Sequence, residues 1–212
     1  MDDKDVILVG MGGHALVVLD ALRASGRRVV GYCDRVKKEN IEAKKIAYLG
    51  PETEERGRAA LALHPFVVSI GDNKIRESVG DFLLSLGFRE AEPVVHPTAT
   101  LGSDVVLGRG TQVQGGVFVN ADSTIGRGVI LNTACIIEHE CRVEDFSHVA
   151  PGAVLAGNVY VGQGAFVGAN AVVLQGVSIG EGATVGAGTV VLKDVPPGRT
   201  VVGNPGRLLP SS

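Results

Sequence analysis

The sequence predicts a small α/β domain with a Rossmann-like βαβ start, followed by a parallel β-helix and a C-terminal cap. Three observations carry this. A strand–glycine–helix–strand pattern opens the chain. From Val95 to Val191 an aliphatic residue recurs at every sixth position without one polar exception. After it comes a proline-bearing tail, "KDVPPGRTVVGNPGRLLP". The boundary falls between residues 94 and 95, giving units 1–94 and 95–212.

Composition narrows the class. A chain of 212 residues with 30 glycines, few aromatics and no tryptophan suits many tight turns around a core of small aliphatic side chains. The net charge of −3 leaves no electrostatic footprint for nucleic acid or an anionic membrane. Three irregularly spaced cysteines do not make a disulfide framework. The opening apolar run is too short for a signal peptide or a membrane span, so a soluble cytoplasmic protein is expected.

In chain order, "VILV" (6–9) reads as a buried strand. "GMGGHA" leads into an apolar-periodic helix through Leu16, Leu19 and Leu22, closed by Gly26. "RVVGYCD" reads as a second strand ending at Asp34. Glycines where strand meets helix expose backbone N–H groups to a phosphate. The pattern Gly10-x-Gly12-x-x-Ala15, with Asp34 about two dozen residues on, resembles a dinucleotide fingerprint. Only about half of a dinucleotide fold precedes the repeat, however, so the domain has room for one nucleotide. His14, at the helix start, suits a phosphate or sugar oxygen. "FVVSIG" (66–71) is a further strand, residues 73–86 a helix, and Pro93–Val95 the last strand of the domain.

A period of six fits neither a 3.6-residue helix nor strand alternation. It fits a β-helix in which three hexads close one coil, so that residues 18 apart stack about 4.8 Å apart. A second series of small residues, among them Cys135 and Cys141, falls four positions after each aliphatic one. These point inward at the corners. His139, third in its hexad, points outward, so both cysteines and His139 cannot converge on one zinc ion. His139 and Gly157 are 18 apart and stack. The α/β domain is expected to cover one end of the prism and the tail the other, with Pro196 and Pro197 stopping the repeat. His64 and His96 lie near prolines in loop-like contexts and read as structural or solvated.

The unbroken repeat resembles the left-handed β-helix acyltransferases, and left-handedness rests on that resemblance. "GMGGHALVVLDAL", "YCD", "SIGDNKIRESV" and "ILNTACIIEHECRVEDFSHVAPGAVLAGNVYVG" narrow it to the bacterial sialic-acid-type sugar acetyltransferases, the PglD/NeuD group. The resemblance implies an acetyl-CoA-dependent N-acetyltransferase acting on the 4-amino group of a nucleotide-linked 4-amino-4,6-dideoxy sugar. UDP is the favoured carrier, in a bacillosamine-type pathway, and GDP-perosamine the next. It also implies a homotrimer with sites between subunits, acetyl-CoA as co-substrate, and no metal. By the same resemblance His139 is the general base, Glu140 raises its basicity, and the Gly157 N–H meets the thioester oxygen. His148, Ala169 and Ala187 contact acetyl-CoA. Gly12, Gly13, His14, Asp34, Arg35 and Gly71 contact the nucleotide sugar. Arg35 stands where a relative carries an acid, and "GNPGR" where "GNPAK" is commoner.

The chemistry agrees with these residue types. An imidazole titrates near pH 6.5 and can take a proton as the amine attacks, and a fixed N–H can receive the oxyanion. The alternatives are a sugar or sialic acid O-acetyltransferase, which needs the same base, a zinc hydratase, and a non-catalytic scaffold. The hydratase needs three histidines, whereas the repeat from Thr98 onward holds only His139 and His148.

Overall fold

The computed structural model describes residues 3–39 and 45–210. The first strand, β1 (Asp5–Val9), lies inside the sheet, with Val6, Ile7 and Leu8 at 0% exposure. It pairs in parallel with β2 (Arg28–Cys33) on one side and β4 (Phe66–Val68) on the other. A two-residue strand, β3 (Ala47–Tyr48), extends the sheet beyond β2, giving the order β3-β2-β1-β4. Helix α1 (Gly13–Ala24) packs Ala15, Val18, Leu19 and Leu22 against one face of this sheet. Gly26, at φ 74°, ends it as the sequence predicts. Helices α2 (Glu55–Leu63) and α3 (Asn73–Ser85) belong to the opposite face, with Leu61 and Leu83 in its core. The Asp72 carboxylate caps α3 by accepting the Ile75 N–H at 2.9 Å.

Two elements, β3 and α2, are absent from the sequence reading. The strand has only two residues, and α2 ("ERGRAALAL") shows no clean apolar stripe. A third difference is a correction. The strand at Val94–Val95 does not join this sheet. It pairs with Gln112–Val113 and starts the wall of the prism.

That strand, β5 (Val94–Val95), is the first of seventeen two-residue strands ending at β21 (Val190–Val191), each closing on a member of the aliphatic series. From β5 to β18 each strand pairs in parallel with the one 18 residues on, as Ile130–Leu131 does with His148–Val149. Three faces result. Face 1 contains the strands at residues 94, 112, 130, 148, 166 and 184; face 2 follows it at 100–190 and face 3 at 106–178. The aliphatic series fills the axis: Leu131, Ile137, Leu155 and Val167 are at 0%. Corner hydroxyls are satisfied within the wall, Ser123 donating to Glu138 O at 2.9 Å and Ser147 to Gly162 O at 2.7 Å. Cys135 is fully buried among these corners, and burial pushes its thiol up to about 12.

The ends depart from expectation. The α/β domain does not cover the first end; it lies along face 1, touching positions from Gln112 to Ala165. Leu101 in the first coil stays 39% exposed. At the other end the prolines do not stop the repeat. Val195 bridges Ile179 at a spacing of 16, so one hexad is shortened by two residues. Strand β22 (Thr200–Val202) then extends face 1 beside Thr184–Val185, and β23 (Arg207–Leu208) folds back antiparallel as the cap. No helix among the described residues is long and apolar enough to cross a membrane.

Candidate active site

His139 stands on the corner between faces 2 and 3, just after the strand Ile136–Ile137. Its side chain is 53% exposed. Nδ1 lies 3.0 Å from Glu140 Oε2, so in the neutral ring Nδ1–H donates to the carboxylate and Nε2 keeps a free lone pair. Glu140 holds φ at 59°, the left-handed region. The coils above and below place Asp122, Asn158 and Gly176 at this position, also at positive φ. Those residue types accept it readily, and Glu does so less well. Stacking predicted by the spacing is observed in detail: a Cβ built on Gly157 would stand 2.6 Å from Cε1 and 2.7 Å from Nε2 of His139. The imidazole therefore lies on the bare Cα of Gly157. The Gly157 N–H has no hydrogen-bond acceptor among the described residues.

A second site opens at the carboxyl ends of β1, β2 and β4. The sheet order reverses between β1 and β4, which is where open α/β sheets bind ligands. A cavity of about 420 Å³ lies there, lined by Gly10, Asp34, Arg35, Glu52, Ile70 and Lys74 among others. Asp34 Oδ2 accepts the Met11 N–H at 2.8 Å and Oδ1 the Val36 N–H at 3.2 Å, which ties the glycine loop to the end of β2. Gly10 is the glycine the fold requires, at φ 87° with Ile70 2.4 Å from where a Cβ would be. Gly12 and Gly13 differ: both are exposed, and an added Cβ would meet nothing within 4 Å. They leave open space at the amino end of α1, where unpaired N–H groups favour an anion.

His14 turns from this loop toward the prism. Its Nε2 lies 2.8 Å from Gln112 Oε1 on face 1, and the Gln112 amide donates to Val68 O at 2.9 Å. Gln112 thus accepts from Nε2–H, and Nδ1 of neutral His14 is an acceptor. Gly71 packs beside it, 3.7 Å separating a built Cβ from that of His14. His148, from face 1, is 6.3 Å away between ring centroids and stacks edge-on to Phe166. Asn132 Nδ2 lies 3.1 Å from its Nε2, while Nδ1 finds no hydrogen-bond partner of good geometry, although the Gly71 backbone is near. Burial first, then the Arg76 charge and His14, push His148 down to about 3. Burial, against the opposing Gln112 hydrogen bond and with help from Arg76, also lowers His14.

Arg76 is the largest fully buried side chain, and its charge reads in the sequence as an exposed helix residue. Its Nε donates to Gly128 O at 2.7 Å, Nη2 to Phe146 O at 2.6 Å and Asn73 Oδ1 at 2.9 Å, and Nη1 to Ile70 O at 3.1 Å. Desolvation lowers its pKa to about 10, so it stays charged at neutral pH. It pins α3 to the prism just below the two histidines.

The sequence-predicted residues therefore fall into three groups. His139, Glu140 and Gly157 meet. Gly12, Gly13, His14, Asp34, Arg35 and Gly71 surround the end of the α/β sheet, and His148 belongs beside His14 rather than His139. Ala169 and Ala187 stack on the corner between faces 1 and 2, Gly188 N–H bonding Ala169 O at 2.8 Å. Sequence reasoning missed Arg76, Gln112, Asn132 and Glu52. Gln112 is 0% exposed in the structure, but its position in the hexad is polar in other coils too, so the sequence did not single it out. Among the described residues no group of three or more His, Cys, Asp or Glu side chains is arranged to hold a metal ion.

Comparison with known proteins bears on the two kinds of fold in the chain. Residues 5–82 match the PglD N-terminal domain, and residues 158–193 match the bacterial transferase hexapeptide, six repeats. The GDP-perosamine N-acetyltransferase of Escherichia coli O157:H7 is 36% identical over 110 residues, 48% of this chain and 48% of that protein. The UDP-N-acetylbacillosamine N-acetyltransferase of Bacillus subtilis is 34% identical over 114 residues, 52% of this chain and 51% of that protein. The chain thus spans about half the length of these curated relatives. The crystal structure of PerB from Caulobacter crescentus, in complex with CoA and GDP-perosamine, superposes with a TM-score of 0.88 at 35% identity, over 97% of each chain. With a PglD N-terminal domain joined to a left-handed hexapeptide β-helix, this chain belongs to the PglD-type family of nucleotide-sugar N-acetyltransferases.

Proposed function

We propose that the protein transfers the acetyl group of acetyl-CoA to the 4-amino group of a nucleotide-linked 4-amino-4,6-dideoxy sugar. The observation that carries this reading is the His139 imidazole, oriented by Glu140 and lying on Gly157. The free Nε2 takes the proton as the sugar nitrogen attacks the thioester carbon. The Gly157 N–H receives the negative charge that develops on oxygen. The C–S bond then breaks, and the imidazolium returns its proton to the departing thiolate. His148, Ala169 and Ala187 are assigned to acetyl-CoA. Gly12, Gly13, His14, Asp34, Arg35 and Gly71 are assigned to the nucleotide sugar, within a unit spanning 1–94 that feeds the acetyl-transfer unit 95–212.

The working form is a homotrimer. What supports this is the distance by topology between the two halves of the site. The α/β domain lies along face 1, whereas His139 projects from the opposite corner of its own prism. A cradle can meet a His139 only if a neighbouring chain supplies it.

UDP and GDP carriers each have a relative at similar identity, the UDP-linked bacillosamine enzyme and the GDP-perosamine enzyme. Incubating the protein with acetyl-CoA and amino-sugar or hydroxyl-sugar acceptors tests the reaction. An amide product supports it; an ester alone would replace it with O-acetylation.

A further inference from the structure

We infer that Glu52 reads the base of the carrier nucleotide and selects guanine, so that the sugar arrives linked to GDP. This rests on the nucleotide-sugar reading above and goes beyond it in naming the base. Glu52 follows β3 and lines the cavity at the end of the α/β sheet. Among the described residues its carboxylate has no hydrogen bond or ion pair, whereas Asp34, which lines the same cavity, is committed to the Met11 and Val36 N–H groups. The Glu52 side chain is half-buried, and after burial itself the Glu52 charge is what raises the Cys33 thiol at the inner end of β2. Ile70, Ile75 and Val79 supply an apolar wall for a flat ring, and Arg35 and Lys74 are the cavity's cations.

The edges of the bases decide what such a carboxylate can recognise. It offers acceptors only. Guanine presents two adjacent donors, N1–H and the 2-amino group, which match two carboxylate oxygens in a bidentate pair. Uracil and thymine present one donor, N3–H, flanked by two carbonyl oxygens that a carboxylate repels. An unpaired charge thus favours one base and rejects the others, the double requirement of specificity. Replacing Glu52 by Gln gives an amide with one donor and one acceptor, which fits the N3–H and O4 of uracil.

The test is calorimetric titration of the full-length protein with GDP, UDP and dTDP, for wild type, Glu52→Gln and Glu52→Ala. Wild type is expected to bind GDP about 10- to 100-fold more tightly than UDP or dTDP, the scale of a charged hydrogen-bonded pair. Glu52→Gln should lose that preference and gain affinity for UDP; Glu52→Ala should bind all three alike. Tighter binding of UDP or dTDP by wild type would overturn guanine selection and leave the nucleotide-sugar reading standing. An unchanged order in Glu52→Gln would overturn the role of Glu52. Failure of every nucleotide to bind would overturn both readings together.

Discussion

The imidazole of His139 lies on the Cα of Gly157, one coil further along the prism, so closely that a β-carbon there would stand 2.6 Å from Cε1. Gly157 does not need to be glycine for its backbone conformation, since it is absent from the positive-φ residues. It is glycine because the ring occupies the space of a side chain.

Gly157→Ala isolates that packing. The methyl group would push the imidazole off its seat without straining the coil. Turnover should fall roughly 10- to 100-fold, as expected for misplacing a reacting group by about 1 Å, with the thermal midpoint near that of wild type. Unchanged turnover would show that the seat is irrelevant to catalysis.

Glu140 combines left-handed backbone with a side chain aimed at Nδ1. Glu140→Asn should fold as well as wild type or better, because Asn adopts this conformation more readily. The rate should nevertheless fall at least roughly 10-fold, since the shorter amide neither orients the ring nor offsets the imidazolium charge. Denaturant melts and steady-state kinetics on the same preparation separate the two effects.

Arg76 joins the halves of the molecule. Arg76→Ala removes donors from buried carbonyls at Gly128, Phe146 and Ile70. A loss of roughly 3 kcal/mol or more in unfolding free energy is expected by chemical denaturation. A variant within about 0.5 kcal/mol of wild type would mean that the junction is held elsewhere.

Acid should weaken the fold through His148. Its native value is depressed to about 3 by burial, while in the unfolded chain it titrates near 6.5. Between those values the unfolded state holds the extra proton, so stability is complete above about pH 6.5 and falls as pH drops toward 3. The slope from this one group approaches roughly 1.4 kcal/mol per pH unit, and lowering of His14 acts in the same direction. His148→Gln should flatten the slope of stability against pH. An identical slope would assign acid sensitivity to other groups.

The nucleotide loop is tested by Gly13→Val. Open space around Gly13 means the fold tolerates a side chain there, while a phosphate approaching the amino end of α1 does not. The acceptor KM should rise strongly and the acetyl-CoA KM change little. Equal damage to both would place the nucleotide elsewhere.

The prism was legible because its signal is periodic and redundant: one aliphatic side chain per hexad fills the axis, so spacing alone places Gly157 under His139. The βαβ start was legible because turn chemistry at Gly10 and Gly26 is local. What stayed hidden depends on contacts far apart in sequence. Arg76 looks like any helical arginine until Gly128 and Phe146 close over it, and His148 could not be placed beside His14 before the docking face was known. The expected proline stop failed for a related reason: the coil absorbs a two-residue deletion between Ile179 and Val195 that strict counting does not allow.

The central claim is that His139 is the base, and the most direct measurement is single-substitution kinetics of His139→Ala. Its half-exposed ring contributes little to the core, so circular dichroism and the oligomeric state should match wild type. With acetyl-CoA and amino-sugar acceptor both saturating, at the pH where wild type is fastest, kcat should drop roughly 10²- to 10⁴-fold, the usual share of general-base catalysis. Near-wild-type turnover by the folded variant would contradict the mechanism, whatever the carrier nucleotide proves to be.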